Sequence, residues 1–211
     1  AREFLRTDNT LACLQAQLTA YNPNENWLTR QFTAEYATLF GLILPALAAR
    51  RLPLTLGGAS NHFRTHILRK IGGWDSYNVT EDADLGLRLA RLGFRTGVVE
   101  SLTYEEANTQ LGNWLGQRAR WLKGFLQTWL VHMRNPVRTA RELGPTGFWT
   151  LQALTAGIFF SALFHPFLMA PTIWLFVVDP FQVSVTTMLN LEVFVLGYGV
   201  AMLAGAKALR Q

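Results

Sequence analysis

Hydrophobic and polar positions change period three times along the chain. Residues 11–18 (Leu-Ala-Cys-Leu-Gln-Ala-Gln-Leu) are a short apolar-rich run, and the polar Tyr21-Asn22-Pro23-Asn24-Glu25-Asn26 follows, which predicts a strand and then a loop. From residue 27 to about 50 the spacing is helical, with Phe32, Tyr36, Leu39, Phe40 and Ile43 on one side, and Pro45 is expected to bend or end that helix. Residues 52–56 (Leu-Pro-Leu-Thr-Leu) predict a short extended run into Gly57-Gly58. Two helices follow, over 63–71 and 80–92, then a stop at Gly93 and a strand to Glu100. Residues 101–110 predict a loop carrying Glu105 and Glu106, and residues 113–132 a long helix rich in tryptophan. Residues 1–8 have the look of a helix end. The order strand, helix, strand, helix, helix, strand is that of an α/β arrangement with half its sheet absent.

Beyond Pro145 the pattern turns almost wholly apolar. Residues 148–178 are interrupted only by His165-Pro166 and Pro171, and residues 183–206 carry Asn190 and Glu192. Each run exceeds the roughly 20 residues that cross a bilayer. Arg134, Arg138 and Arg141 precede the first run, Asp179-Pro180 separates the two, and Lys207 and Arg210 follow the second. Basic outer flanks around an acidic turn predict a hairpin with both ends cytoplasmic, the first span tilted or kinked at Pro166 or Pro171. His165 and Glu192 are expected at a helix-packing face.

Composition agrees with a membrane partner. Charged residues make up only 16% of the chain, too few for an ordinary soluble surface, and the net charge of +5 lies in the first two-thirds. A basic, tryptophan-rich surface suits anionic partners such as lipid headgroups or sugar nucleotides. No basic stripe or nucleic-acid motif is present, so nucleic acid is not expected as a partner. Cys13 is the single cysteine, which excludes an intrachain disulfide and suits a small buried apolar position. No apolar run follows Ala1-Arg2-Glu3-Phe4-Leu5-Arg6, so no signal peptide is expected, and without an initiating Met the chain reads as a piece of something longer.

Candidate chemistry lies between Thr80 and Trp121. Thr80-Glu81-Asp82 opens the second predicted helix after a turn-rich segment, so Thr80 takes an N-cap position with Glu81, Asp82 and Asp84 at the positive end of the helix dipole. Capping alone accounts for that arrangement. Downstream, Gln117-Arg118-Ala119-Arg120-Trp121 sits inside the long helix, with Trp114, Gln117 and Trp121 one turn apart on one face. An indole beside an amide suits a sugar ring, while Arg118 and Arg120 offer forks for phosphate oxygens. The same residues also describe an amphipathic helix lying at a membrane surface.

Thr-Glu-Asp followed by Gln-x-x-Arg-Trp resembles the paired signature of processive family 2 glycosyltransferases, the membrane-embedded synthases of cellulose, chitin and hyaluronan. Gly57-Gly58-Ala59-Ser60 is similar to the Gly-x-Ser segment before the acidic motif, and Ile71-Gly72-Gly73-Trp74-Asp75 to the turn that leads into it. The resemblance covers residues 10–135. It implies an α/β, partial GT-A-like domain (1–112), an interfacial helix with a basic linker (113–147) and a two-helix transmembrane hairpin (148–211), in a multi-pass protein of the inner membrane with its catalytic part cytoplasmic. It also implies inverting transfer from a nucleotide sugar to a β-linked polysaccharide or a glycolipid. Asp82 would be the base, Arg120 and Arg118 would face the diphosphate, Trp121 and Gln117 would hold the acceptor, and Thr80, Glu81, Gly58 and Ser60 would complete the substrate site. Mg²⁺ or Mn²⁺ is expected in the full-length enzyme. Asp82-Ala83-Asp84 is a literal Asp-x-Asp, but on a helix its two carboxylates point to different faces. The resemblance implies a separate metal-binding Asp-x-Asp and an earlier uridine-binding aspartate, neither matched here; both are expected before Ala1, and the isolated segment is expected to be inactive. Arg134-x-x-x-Arg138 has the spacing used by cyclic di-GMP-responsive proteins, although juxtamembrane charge explains it more simply. Non-processive transfer to a lipid, or a degenerate transferase serving as an envelope receptor, are the competing readings.

Overall fold

The computed structural model describes residues 8–178. The helix end expected over residues 1–8, apart from Asp8 itself, and the whole second apolar run with its turn lie outside the described residues. The sheet has three strands: β1 (Leu11–Ala20), β2 (Asn61–Phe63) and β3 (Arg95–Glu105), in the order β2-β1-β3. β1 pairs antiparallel with β2 and parallel with β3. Eight of its ten residues are buried, because layers cover both of its faces, and its sequence is accordingly a run rather than an alternation. Cys13 lies fully buried there, its thiol pushed up to about 12 by burial.

α1 (Trp27–Thr38) begins at a capping box: Asn26 Oδ1 accepts from the Thr29 amide and Thr29 Oγ1 accepts from the Asn26 amide. Its buried face carries Phe32 and Tyr36, with Phe40 one turn on; their ring centroids are 4.1 and 5.2 Å apart in succession. Pro45 does not end this helix. A π-helical turn over Leu39–Ile43 precedes it, and helicity resumes as α2 (Leu44–Ala49). The wide turn absorbs the position whose N–H proline lacks.

Two expectations for the sheet need correction. Residues 52–56 are extended and largely buried but form no ladder; the strand beside β1 is Asn61–Phe63. Residues 101–105, expected in a loop, continue β3, and the register jumps between Ala16–Val99 and Gln17–Leu102, leaving two extra residues on β3. That interruption of the ladder falls at Glu100–Ser101, where the sequence reading ends the strand.

α3 (Thr65–Lys70) and α4 (Glu81–Arg91) follow. α4 packs so closely on the extended 52–56 segment that a Cβ at Gly86 would stand 2.4 Å from the Leu54 carbonyl oxygen. α5 (Leu111–His132) crosses the end of this layer, and α6 (Pro136–Gln152) returns along it. Gly144, at φ 68°, breaks the helical dihedrals of α6 just before Pro145. A second π-helical turn (Ala153–Gly157) leads into α7 (Ile158–Val178), through which Pro166 and Pro171 both pass as helical residues. The change to the apolar run thus falls at the Gly144 break, with helix on either side of it.

Pro136–Pro171 is long and apolar enough to cross a membrane, and Ile158, Phe160, Phe164 and Phe167 are exposed along it, as are Trp174 and Val177 just beyond. Trp27–Ala49 meets the same criterion of length and composition, but its Leu28, Phe32, Tyr36, Phe40 and Leu44 lie in the core.

Candidate active site

The loop before α4 folds around Asn78. Its Oδ1 accepts from the Thr80 amide at 3.0 Å, and its Nδ2 donates to Thr128 Oγ1 on α5 at 2.8 Å. Thr80 occupies the N-cap position, yet its hydroxyl caps nothing. It is pressed instead against Gly124, where a Cβ would meet Thr80 Cγ2 at 2.3 Å, so only glycine lets α5 come this near. Side-chain capping by Thr80 is therefore a corrected expectation: close packing of α5 claims that side chain.

Behind the loop lies a cavity of about 380 Å³. Gly58, Thr80, Glu81, Asp82, Gln117 and Trp121 all border it, together with Tyr36, Glu105 and Phe125. The residues are brought together from four elements: α4 supplies the acids, α5 the amide and indole, α1 the tyrosine, and the end of β3 Glu105. Neither Gly57 nor Gly58 has a positive φ, so both serve close approach rather than a left-handed turn. A Cβ at Gly57 would meet Phe40 at 2.8 Å, and one at Gly58 would stand 3.3 Å from Asp82 Oδ2. Buried Gln15 on β1 holds this loop, accepting from the Gly57 amide at 2.8 Å and donating to the Ala59 carbonyl at 2.9 Å.

Burial pushes the Asp82 carboxyl up to about 6; the Ala83 amide, 2.7 Å from Oδ1, pulls the other way, and neighbouring Glu81 adds repulsion. A carboxylate losing water inside a cavity loses more than the backbone amides return. Asp82 nevertheless remains mostly ionised at neutral pH. Glu105 is also raised by burial, against a long contact from the Tyr36 hydroxyl at 3.4 Å.

Three sequence-predicted residues stand outside the cavity. Ser60, at φ 54°, hydrogen-bonds Thr103 at 2.6 Å and is committed to the sheet. Arg118 turns toward α1, where it pairs with Glu35, and its guanidinium lies over Trp114 and Trp121 at 5.1 and 4.8 Å. Arg120 borders an adjoining groove of about 430 Å³ with Asn108, Gly112, Asn113, Gly116 and Gln117. Gln117 borders both spaces, and its Oε1 is buried without a partner.

Asp84 faces away from Asp82. It is 2% exposed, and its two oxygens are taken by Arg88 Nε at 2.7 Å and His132 Nε2 at 3.1 Å. The Asp-x-Asp therefore offers no shared ligand pair, and among the described residues no three His, Cys, Asp or Glu side chains converge.

Sequence reasoning missed Tyr36, Phe125 and Gln15. Tyr36 and Phe125 lie on apolar stripes that read as core, and nothing distinguishes Gln15 within its strand. Glu105 carried a signal as half of an acidic pair, without a sign of which half turns inward.

Several curated proteins are similar to this chain. The probable glycosyltransferase YdaM of Bacillus subtilis (strain 168) is 32% identical over 71 residues, covering 33% of this chain and 17% of that protein. The cellulose synthase 1 catalytic subunit [UDP-forming] of Komagataeibacter xylinus is 33% identical over 121 residues, 56% of this chain and 16% of the relative. The beta-monoglucosyldiacylglycerol synthase of Synechocystis sp. (strain ATCC 27184 / PCC 6803 / Kazusa) is 28% identical over 156 residues, 69% of this chain and 31% of the relative. The chain thus spans less than a third of the length of each. Among solved structures, the mannosyltransferase PcManGT from Pyrobaculum calidifontis, in complex with GDP-Man and Mn²⁺, aligns at a TM-score of 0.48 with 15% identity over 97% of this chain and 55% of its own. The family model described as glycosyl transferase family group 2 matches residues 1–202, and the chain belongs to that family.

Proposed function

We propose that this chain is the acceptor-side part of a membrane-bound, inverting and processive family 2 glycosyltransferase that extends a β-linked polysaccharide at the cytoplasmic face of the inner membrane. The observation that carries the reading is the single cavity bordered by Asp82, Gln117 and Trp121. Asp82 accepts the proton of the acceptor hydroxyl, for which a carboxylate with a pKa near 6 is well matched at neutral pH. The Trp121 indole carries the apolar face of the acceptor ring, and the unpartnered Gln117 oxygen receives one of its hydroxyls. Arg120, in the adjoining groove, faces the diphosphate of the nucleotide-sugar donor as it departs. None of the described side chains forms a metal-ligand set, so Mg²⁺ or Mn²⁺, which would offset diphosphate charge, is assigned to other residues of the full-length enzyme. The exposed apolar residues of α7, which α6 joins to the domain, support a cleft lying beside the bilayer.

Non-processive transfer to a glycolipid is a second reading. The Synechocystis relative, a lipid glycosyl synthase by name, aligns with more of this chain than the cellulose synthase subunit does. The deciding experiment is Asp82→Asn in the full-length protein, with product length read on a gel. Loss of product with normal membrane insertion supports catalysis, and long products in the parent support processivity. A single-sugar lipid product favours the second reading. An unaffected phenotype in the variant would leave only a binding module.

A further inference from the structure

On the face of α4 turned away from the cleft, Asp84, His132, Arg91, Glu142 and Arg138 form an unbroken polar chain through three helices. His132 is 1% exposed. Its Nδ1 stands 3.0 Å from Arg91 Nη1 and its Nε2 3.1 Å from Asp84 Oδ1. A guanidinium can only donate, so Nδ1 must accept, and the ring hydrogen must sit on Nε2 and point at Asp84. One assignment of hydrogens satisfies every member. Arg91 Nε continues to Glu142 Oε2 on α6 at 2.6 Å, and Arg138 Nε closes the chain on Glu142 Oε1 at 2.6 Å. The His132 carbonyl, at the end of α5, accepts from Thr139 Oγ1 at 2.7 Å.

Along α5 these contacts are one stripe. Gln117 and Trp121 border the cleft, Gly124 abuts Thr80, Thr128 meets Asn78 and His132 meets Asp84; steps of three or four residues keep all five on one face. A slip of one helical turn, about 5.4 Å, would carry Trp121 and Gln117 out of the cavity. The close contact of Gly124 with Thr80 resists such a slip by shape, and the buried donor–acceptor chain adds a match that holds in one register.

We propose that Asp84 and His132 are positioning residues: their buried hydrogen bond fixes the register of α5 on α4, and so sets where Trp121 and Gln117 stand relative to the Asp82 carboxylate. Arg91 and Glu142 extend the same constraint to α6, the helix that leads into the apolar span.

The test uses the full-length protein in a bilayer. The double variant Asp84→Leu/His132→Leu replaces both polar partners by apolar groups, a change that buried pairs often tolerate. The single variant His132→Gln keeps one donor and one acceptor. Without substrate, the double variant is expected to exchange its amide hydrogens faster across residues 76–84 and 117–132, with residues 27–49 unaffected, and His132→Gln to exchange like the parent. With donor and acceptor, the double variant is expected to lose on the order of 100-fold in kcat, the loss attached to small misplacement of reacting groups. Its KM for the donor should stay as in the parent, and His132→Gln should recover most of the rate. Should the double variant fail to accumulate, His132→Asn, too short to reach both Asp84 and Arg91, takes its place. Parental exchange and kcat in these variants, or equal losses in His132→Gln, would overturn the proposal. Only the kinetic arm rests on the transferase reading: a parent without activity refutes that reading, while the exchange arm still decides whether the relay holds the register.

Discussion

Asp82 and Asp84 stand two residues apart on one helix and have opposite surroundings. Asp84 is nearly inaccessible, but its oxygens are taken by Arg88 and His132. Asp82 faces a cavity, has backbone amides but no side chain as hydrogen-bond donors to its carboxyl, and is pushed up to about 6 by burial. The difference lies in the supply of side-chain partners rather than in depth of burial. One carboxylate is part of the scaffold. The other is held in a state the scaffold alone does not favour, as expected of a group whose partner arrives with a substrate.

The largest break in this contrast is Asp82→Asn. Removing a general base costs about 10²- to 10⁴-fold in rate, and the loss should appear in kcat with the protein still inserted. In the parent, activity should rise with pH through about 6, as the carboxyl ionises, and this limb should vanish in the variant. Stability should move the other way. A carboxyl raised from 3.8 to about 6 in the folded state favours the native fold when protonated, and this benefit is lost as pH rises from near 4 through 6. Thermal unfolding at pH 7 should therefore find Asp82→Asn more stable than the parent, by up to about 3 kcal/mol, with the gap closing near pH 4. A variant less stable at pH 7 would mean the carboxylate has partners the structure does not give it.

A second break acts on the spacing between the two motif-bearing helices. Gly124→Ala places a methyl 2.3 Å from Thr80 Cγ2, so α5 must shift. Overpacking of this kind costs about 1–3 kcal/mol, and a shift that moves Trp121 off the acceptor should lower the rate more than it lowers stability. Thr80→Ala, which removes Cγ2 and Oγ1, the two nearest of the three Thr80 atoms that the new methyl would meet, is expected to restore part of the activity in the Gly124→Ala background. Additive losses in the double variant would show that the two side chains do not meet.

Legibility from sequence followed the same division. The long periodic helices over residues 27–49, 81–91 and 111–132 could be read because each keeps one apolar face for several turns. The strand around 61–63 could not, being three residues long, and β3 could be read only to Glu100, where its ladder is interrupted. For the site, local motifs brought Asp82, Gln117 and Trp121 forward. Tyr36 and Gln15 reach the site through contacts some forty or more residues away, as in the bond from Gly57 to Gln15, and no local pattern carries such information. Arg118 is the instructive case. A fork beside a tryptophan suits phosphate equally well in any sequence, and only the fold puts Glu35 in its path.

The smallest break tests that last point. Glu35→Gln removes the carboxylate that holds Arg118 over Trp114 and Trp121, while leaving the cavity's own residues in place. The pair is about a quarter to a third exposed, so its loss should cost no more than about 1 kcal/mol and should matter less at high salt. The stacking of the guanidinium on the two indoles contributes a similar, salt-insensitive amount and should survive the change. A modest loss of acceptor affinity, read as a rise in KM for the acceptor with kcat nearly constant, is the expected result, because Trp121 keeps its place but gains freedom. A fall in kcat comparable to that of Asp82→Asn would instead put Arg118 and its carboxylate among the groups that act on the departing diphosphate.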